Sequence, residues 1–139
     1  MTDRAWTRLF PDGKTLVGMV HLQPLTGAPQ WKGSMQAGLD AAVNDARALV
    51  AAGFDAVVVE NYGDVPFRGD RVSATTVAAL TAAVQAVRSA TSVPVGVNVL
   101  RNDAASALGV AAATGASFVR NRTSSGTRCR RAPSSSPQG

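Results

Sequence analysis

A length of 139 residues suits a single domain, and 45% apolar with 17% charged residues is the composition of a globular, core-forming chain. The formal charge of +5 sits at one end of the chain. Residues 1–119 hold nine basic and nine acidic side chains, and the excess comes from five arginines: Arg120, Arg122, Arg128, Arg130 and Arg131. The high isoelectric point therefore gives no reason to assign nucleic-acid binding to the folded part.

Cellular compartment and membrane insertion can be judged from three features. The only cysteine is Cys129, which excludes an internal disulfide and favours a reducing compartment. The N-terminus lacks the apolar stretch of a signal peptide. Uncharged runs such as residues 72–87 are shorter than the roughly 20 residues of a membrane span. The sequence predicts a cytoplasmic protein without a transmembrane segment.

The first half of the chain alternates between strand and helix patterns. Residues 16–21 are a short apolar run, which predicts a buried strand. Ser34 can cap the next helix because its hydroxyl can accept from free first-turn amides, and Gly53 ends that helix. Residues 56–60 are β-branched without alternation, as expected of a strand covered on both faces.

The second half repeats the order. A helix capped near Ser73 is followed by a strand at residues 95–99. A third helix over residues 104–113, begun by Asn102 or Asp103, precedes a fourth strand from residue 117. Helices of this length between buried strands imply parallel pairing. An open doubly wound sheet and the first half of an eight-fold barrel both fit, although a complete barrel needs roughly 250 residues.

The C-terminal residues 121–139 contain no hydrophobic residue large enough to anchor them, and we expect them to be a disordered basic tail. The change in composition falls within a strand, just after Val119, and not in a linker. This position suggests a truncation or a reading-frame change near residue 120. Because the tail has neither aromatic interleaving nor helical periodicity, we do not predict RNA or lipid binding by it.

Three segments together resemble the BtpA family (BtpA/SgcQ), whose founding members are known as photosystem I biogenesis proteins. They are GMVHLQPLTGAP at 18–29, DAVVVENYGDVPF at 55–67 and PVGVNVLRND at 94–103. The resemblance runs from about residue 14 to residue 119 and implies a TIM barrel related to the phosphosugar-binding barrels. The fold class expected is therefore α/β, the N-terminal half of a (β/α)8 TIM barrel like the ribulose-phosphate-binding barrels, over residues 1–120.

Polar residues follow each predicted strand, at the end where parallel α/β folds place their ligands. The candidate catalytic residues are His21, Glu60 and Asp64. The candidate substrate-binding residues are Gln23, Asn61, Asn98, Arg101 and Asn102. A carboxylate, an imidazole and amides can transfer protons to a small substrate or hold a metal, and Arg101 can pair with a phosphate or carboxylate. Arg120 would end the fourth strand.

Most of these residues also have a structural interpretation. His21 can simply be a histidine that is hydrogen-bonded at the end of a strand. Glu60 can form a structural ion pair with Arg101. Asp64 can initiate a turn, and Asn102 and its neighbour Asp103 can cap a helix. The sequence has no metal-binding motif, no dinucleotide fingerprint and no Walker lysine, so no metal is assigned and any cofactor is unknown.

Three functions remain open. The first is an enzyme or binding protein for a small, phosphosugar-like metabolite. The second, implied by the resemblance alone, is an accessory factor for photosystem I with peripheral membrane association. The third is an inactive fragment, because half a sheet leaves edges uncovered and predicts poor solubility or a homo-oligomer that completes a barrel.

Overall fold

The computed structural model describes residues 4–67, 69–123 and 126–130 and contains four helices and five strands in this range. The helices are α1 (Arg4–Leu9), α2 (Met35–Ala51), α3 (Ala74–Ala90) and α4 (Ala104–Thr114). The strands are β1 (Val17–His21), β2 (Ala56–Glu60), β3 (Val95–Asn98), β4 (Phe118–Thr123) and β5 (Gly126–Arg130). The three longer helices alternate with the first four strands, as predicted.

The sheet has the order β1-β2-β3-β4-β5, and its first four strands are parallel. Each strand lies next to the one that follows it along the chain, as in the N-terminal half of a (β/α)8 barrel. The predicted α/β class and parallel pairing are confirmed. An open doubly wound sheet would instead need a reversal of strand order, which the described strands do not have.

One face of the sheet is covered by α2, α3 and α4. Alternate strand residues such as Val20, Val57 and Val97 are fully buried against these helices. The helices begin where the sequence predicts because Ser34, Ser73 and Asp103 each accept a hydrogen bond from a first-turn amide. Asp103, and not Asn102, is the cap of α4.

The opposite face, which we call the inner face, is closed at the N-terminal ends of the strands by an aromatic cluster. Trp6 of α1 and Phe10 pack against Phe118 of β4, with ring centroids 4.5–6.2 Å apart among the three. Phe118 lies over Gly96 so closely that an added Cβ would be 2.6 Å from its Cζ atom. The sequence did not predict α1, because six residues show too little periodicity.

The structure differs from the sequence prediction after Val119. Residues 121–139 were expected to be disordered, yet β4 continues to Thr123 and pairs antiparallel with β5 in a hairpin. A hairpin forms through backbone hydrogen bonds and needs no large apolar side chain, which is why composition did not reveal it. Residues 124, 125 and 131–139, where the same prediction applies, lie outside the described residues.

Candidate functional site

The four parallel strands each present one polar side chain on the inner face near their C-terminal ends. These residues, which we call the Glu60 cluster, are His21, Glu60, Asn98 and Arg120. The sheet register pairs His21 with Glu60 and Glu60 with Asn98. Arg120 lies two residues after Phe118, on the same face. Parallel pairing thus brings together residues that are far apart in sequence.

Glu60 is at the centre of this cluster. Its carboxylate oxygen Oε2 lies 3.3 Å from His21 Nε2, and Oε1 accepts a 2.7 Å hydrogen bond from Asn98 Nδ2. Arg120 Nη1 lies 3.9 Å from Oε1. The Glu60 side chain is 6% exposed, whereas those of His21 and Arg120 are 46% and 35% exposed. A buried carboxylate is therefore surrounded by one fixed amide donor and two groups that reach solvent.

This arrangement can position an imidazole for proton transfer. A carboxylate that holds one ring nitrogen of a histidine orients the ring, so that the other nitrogen can face a ligand. Glu60 holds Nε2 of His21 in this way. The His21 ring also stacks on Tyr62, with centroids 4.2 Å apart and planes inclined by 10°. Of the two interpretations of Glu60, the bridge to Arg101 does not form: the ion-pair partners it has among the described residues are His21 and Arg120.

Asn61 and Asp64 lie outside this cluster and connect the loops around it. Asn61 is buried, and its Oδ1 accepts a 2.7 Å hydrogen bond from the backbone N–H of Leu100. Its Nδ2 lies 3.4 Å from Asp64 Oδ2. Asp64 Oδ1 accepts a 2.8 Å hydrogen bond from the Leu25 N–H. The two side chains thus link the loops that follow β1, β2 and β3.

A cleft of about 340 Å³ opens among these loops. Asn61 and Asp64 line it together with largely apolar residues that include Pro29, Phe67 and Leu100. No member of the Glu60 cluster lines this cleft. The candidate residues that the sequence placed in one group therefore divide between two places, the inner face and the cleft.

The other candidate residues lie on exposed loops. Gln23 follows β1, and Arg101 and Asn102 follow β3, all with exposed side chains. Asn102 has a φ of 136°, and the N–H of the next-but-one residue, Ala104, donates to its carbonyl. Their predicted role in binding substrate stays a prediction, and their exposure leaves them free to reach a ligand at the strand ends.

Asp103 has a structural role. Its Oδ2 accepts hydrogen bonds from the Ser106 hydroxyl and the Val72 N–H, at 2.6 and 2.9 Å. Burial acts to raise the pKa of Asp103, but these bonds, a further one from the Ser106 N–H and the charge of Arg71 outweigh it and hold the pKa below its ordinary value. The carboxylate begins α4 and fixes the chain that leads into α3.

Sequence reasoning did not include Arg120 and Tyr62 among the candidates. The sequence places Arg120 at the end of the fourth strand, at the same mouth as the candidates, but assigns it no role, and it places Tyr62 in a loop. The available signal for Tyr62 was its position two residues after Glu60, at the end of a strand that carries a candidate residue.

The described residues contain neither a cluster of metal ligands nor a helix that could span a membrane. Within residues 4–67, 69–123 and 126–130, no three His, Cys, Asp or Glu side chains come close enough together to hold a metal ion. None of the helices in the described part of the chain combines the length and apolar character that crossing a bilayer requires.

Comparison with known proteins gives one consistent result. The chain is 49% identical over 113 residues to an uncharacterized protein of Thermococcus kodakarensis, covering 81% of this chain and 43% of the relative. It is 42% identical over 111 residues to the photosystem I biogenesis protein BtpA of Synechocystis, covering 80% of this chain and 39% of the relative. It is 35% identical over 109 residues to the putative sgc region protein SgcQ of Escherichia coli, covering 77% of this chain and 40% of the relative.

These relatives are longer, and the chain spans about two fifths of their length. The sequence profile of the BtpA family matches residues 12–132, which include every strand of the sheet and the whole Glu60 cluster. The resemblance inferred from the three sequence segments is confirmed. The chain belongs to the BtpA family.

Proposed function

We propose that the Glu60 cluster binds a small, phosphorylated or sugar-like metabolite and transfers a proton to or from it. The observation that supports this most is the buried carboxylate of Glu60, contacted by a half-exposed imidazole, an amide and a guanidinium from three other strands. A structural ion pair does not require a histidine whose side chain is about half exposed, whereas acid–base catalysis requires an imidazole that a ligand can reach.

The roles within the cluster follow from exposure and contacts. His21 exchanges the proton, because its ring reaches solvent while Nε2 stays on Glu60. Glu60 orients His21, and Asn98 fixes Glu60. Arg120 binds an anionic group of the metabolite, because its only described ion-pair partner is 3.9 Å away and its side chain is one-third exposed.

The residues on the surrounding loops complete this proposal. Arg101 provides a second cation for a phosphate, and Gln23 and Asn102 donate to hydroxyl groups of a sugar. Asn61 and Asp64 hold the loops in place, since the oxygen atoms of Asp64 already accept from Leu25 and Asn61. In full-length relatives, a complete (β/α)8 barrel would enclose this site at the carboxyl ends of its strands.

Thermal-shift screening tests the proposal. The 139-residue chain and the Thermococcus relative would each be melted with a panel of sugar phosphates and related sugar acids. Binding of one class is expected to raise the melting temperature of both proteins, because a ligand that binds only the native state stabilises it. In the chain, Glu60→Gln should remove this stabilisation without unfolding the protein. If no metabolite stabilises either protein, the proposal is wrong.

The name of the Synechocystis relative supports a second candidate, an accessory factor for photosystem I biogenesis. For such a factor we propose peripheral association with membranes. Sedimentation of the chain with vesicles of anionic lipid would distinguish the two. Binding to vesicles that Glu60→Gln does not change would favour the accessory function, and absence of binding at low salt would count against it.

A further inference from the structure

We propose that Tyr62 is a positioning residue that holds the imidazole plane of His21, so that Nε2 stays on Glu60 and Nδ1 stays open to a ligand. This inference rests on the proposed function, because it matters only if His21 exchanges a proton. Tyr62 is assigned no part by the family resemblance, and its side chain makes the closest ring contact of His21 in the described residues.

The contact between Glu60 and His21 restrains one atom of the imidazole, Nε2, at 3.3 Å from Oε2. A single contact leaves the ring free to swing about that atom, especially on a side chain that is 46% exposed. The Tyr62 ring lies parallel to the imidazole within 10° and 4.2 Å from it. The contact and the stacked ring together restrain both the position and the plane of His21.

The backbone of the loop that follows β2 brings Tyr62 to this place. Its neighbour Gly63 donates a 3.0 Å hydrogen bond from its N–H to the Leu22 carbonyl. A Cβ added at Gly63 would lie 2.5 Å from Pro24 N and 2.7 Å from Gln23 C. Because these are backbone atoms that cannot move aside easily, glycine alone permits this approach of the two loops. The approach sets Tyr62 over the ring of His21, which immediately precedes Leu22.

Packing in the hydrophobic core does not explain the position of Tyr62. Tyr62 is 55% exposed, and in the part of the chain that the structure describes it is one of four large hydrophobic residues on the surface. A ring that exposed contributes little to the free energy of folding through burial. Offset or parallel contact between aromatic rings does contribute, and a tyrosine face also attracts an imidazolium. The charged groups around the pair are Glu60, which contacts His21, and Arg120, which contacts Glu60.

Nuclear magnetic resonance can test the inference without any ligand, because His21 is the only histidine of the chain. Long-range ¹H–¹⁵N spectra would report which nitrogen carries the proton, and the ring protons would report the stacked aromatic face. The chain would be compared with Tyr62→Phe, Tyr62→Leu and Gly63→Ala. Thermal melting would confirm that each variant is folded.

We expect the wild type and Tyr62→Phe to show ring protons shifted upfield and one dominant tautomer with the proton on Nε2. Tyr62→Leu and Gly63→Ala should lose both signatures while remaining folded. Unchanged His21 signals in Tyr62→Leu would overturn the inference. Loss of the signatures in Tyr62→Phe would overturn it too, because the hydroxyl and not the ring would then be responsible.

The outcome is separable from that of the proposed function. If the His21 signatures behave as expected but no metabolite stabilises the protein, the positioning by Tyr62 stands and the proposed proton transfer fails. If metabolites stabilise the protein and the His21 signals are the same in the wild type and in Tyr62→Leu, the proposed site stands and the positioning role of Tyr62 is wrong.

Discussion

Asn98 Nδ2 lies 2.7 Å from Glu60 Oε1, although 38 residues separate the two in sequence. The hydrogen bond joins neighbouring parallel strands and is buried, so water cannot replace it if it is lost. Asn98 thereby fixes the carboxylate that in turn holds His21. Its amide is a donor that an aspartate, which has nearly the same shape, lacks at neutral pH.

Replacement of Asn98 by Asp should therefore destabilise the protein. Two carboxylates would meet in a buried place where one donor and one acceptor now pair, and we expect a loss of about 2 kcal/mol in the free energy of unfolding at pH 7. Urea denaturation would measure it. Asn44→Asp, the same change on an exposed position of α2, is the matched control and should alter stability by no more than about 0.5 kcal/mol. Equal losses of stability in Asn98→Asp and Asn44→Asp would contradict the assignment of Asn98 as the buried donor to Glu60.

Gly96 should not tolerate a methyl group. Ala at this position would place its Cβ 2.6 Å from Cζ and 2.7 Å from Cδ2 of Phe118, which is almost fully buried. We expect Gly96→Ala to lower the free energy of unfolding by about 2 kcal/mol. The additional change Phe118→Leu, which introduces a smaller side chain, should restore part of this loss. Gly109→Ala, on the exposed side of α4, should instead raise stability by up to about 1 kcal/mol. If Gly96→Ala left the free energy of unfolding unchanged, the Phe118 ring could not lie over Gly96 as described.

The role of α1 can be tested at its aromatic residue. Trp6→Ala removes ring contacts with both Phe10 and Phe118 and should lower the free energy of unfolding by about 3 kcal/mol. Trp31, which is 40% exposed, serves as the comparison: its replacement by Ala should cost less than about 1 kcal/mol. Similar losses at the two positions would show that α1 does not close the inner face.

Asp103 should make stability depend on pH. Its pKa is lower in the folded chain than in the unfolded chain, so the ionised form stabilises the fold above the unfolded value and this contribution is lost as the pH falls through the folded value. At pH 7, Asp103→Asn should cost about 1 kcal/mol, because an amide keeps one acceptor oxygen and loses the second, where Oδ1 and Oδ2 now accept from the Ser106 N–H and from Val72 and the Ser106 hydroxyl. The difference between wild type and variant should shrink below about pH 4. A difference that stays constant from pH 7 to pH 3 would rule out this account of Asp103.

The sequence was sufficient to predict elements whose cause is local. Ser34, Ser73 and Asp103 are caps because short polar side chains reach first-turn amides, and that chemistry depends only on near neighbours. The bounds of β2 were predictable from its β-branched run, which is also a local feature. In contrast, α1 forms through contacts with Phe118, more than one hundred residues away in the chain. The six residues of α1 carry no pattern that could reveal this partner.

The candidate site was only partly predictable because β2 is buried on both faces. In a strand with one solvent-exposed face, apolar and polar residues alternate, and this alternation shows which residues point inward. Every residue of β2 is buried, so the pattern is absent there. Glu60 and Asn61 were therefore grouped together, although one enters the inner face and the other the loop cleft. Arg120 was placed at the end of the fourth strand but received no role, because the sequence departs from the family pattern at that position.

The most direct test of our account compares the two places at which a metabolite could bind. Isothermal titration would measure the affinity of the most stabilising metabolite for the wild type, for Glu60→Gln in the inner-face cluster and for Asp64→Asn in the cleft. We predict at least about tenfold weaker binding to Glu60→Gln, since the charge that orients His21 is lost, and nearly unchanged binding to Asp64→Asn. Binding that survives in Glu60→Gln and is lost in Asp64→Asn would contradict the account.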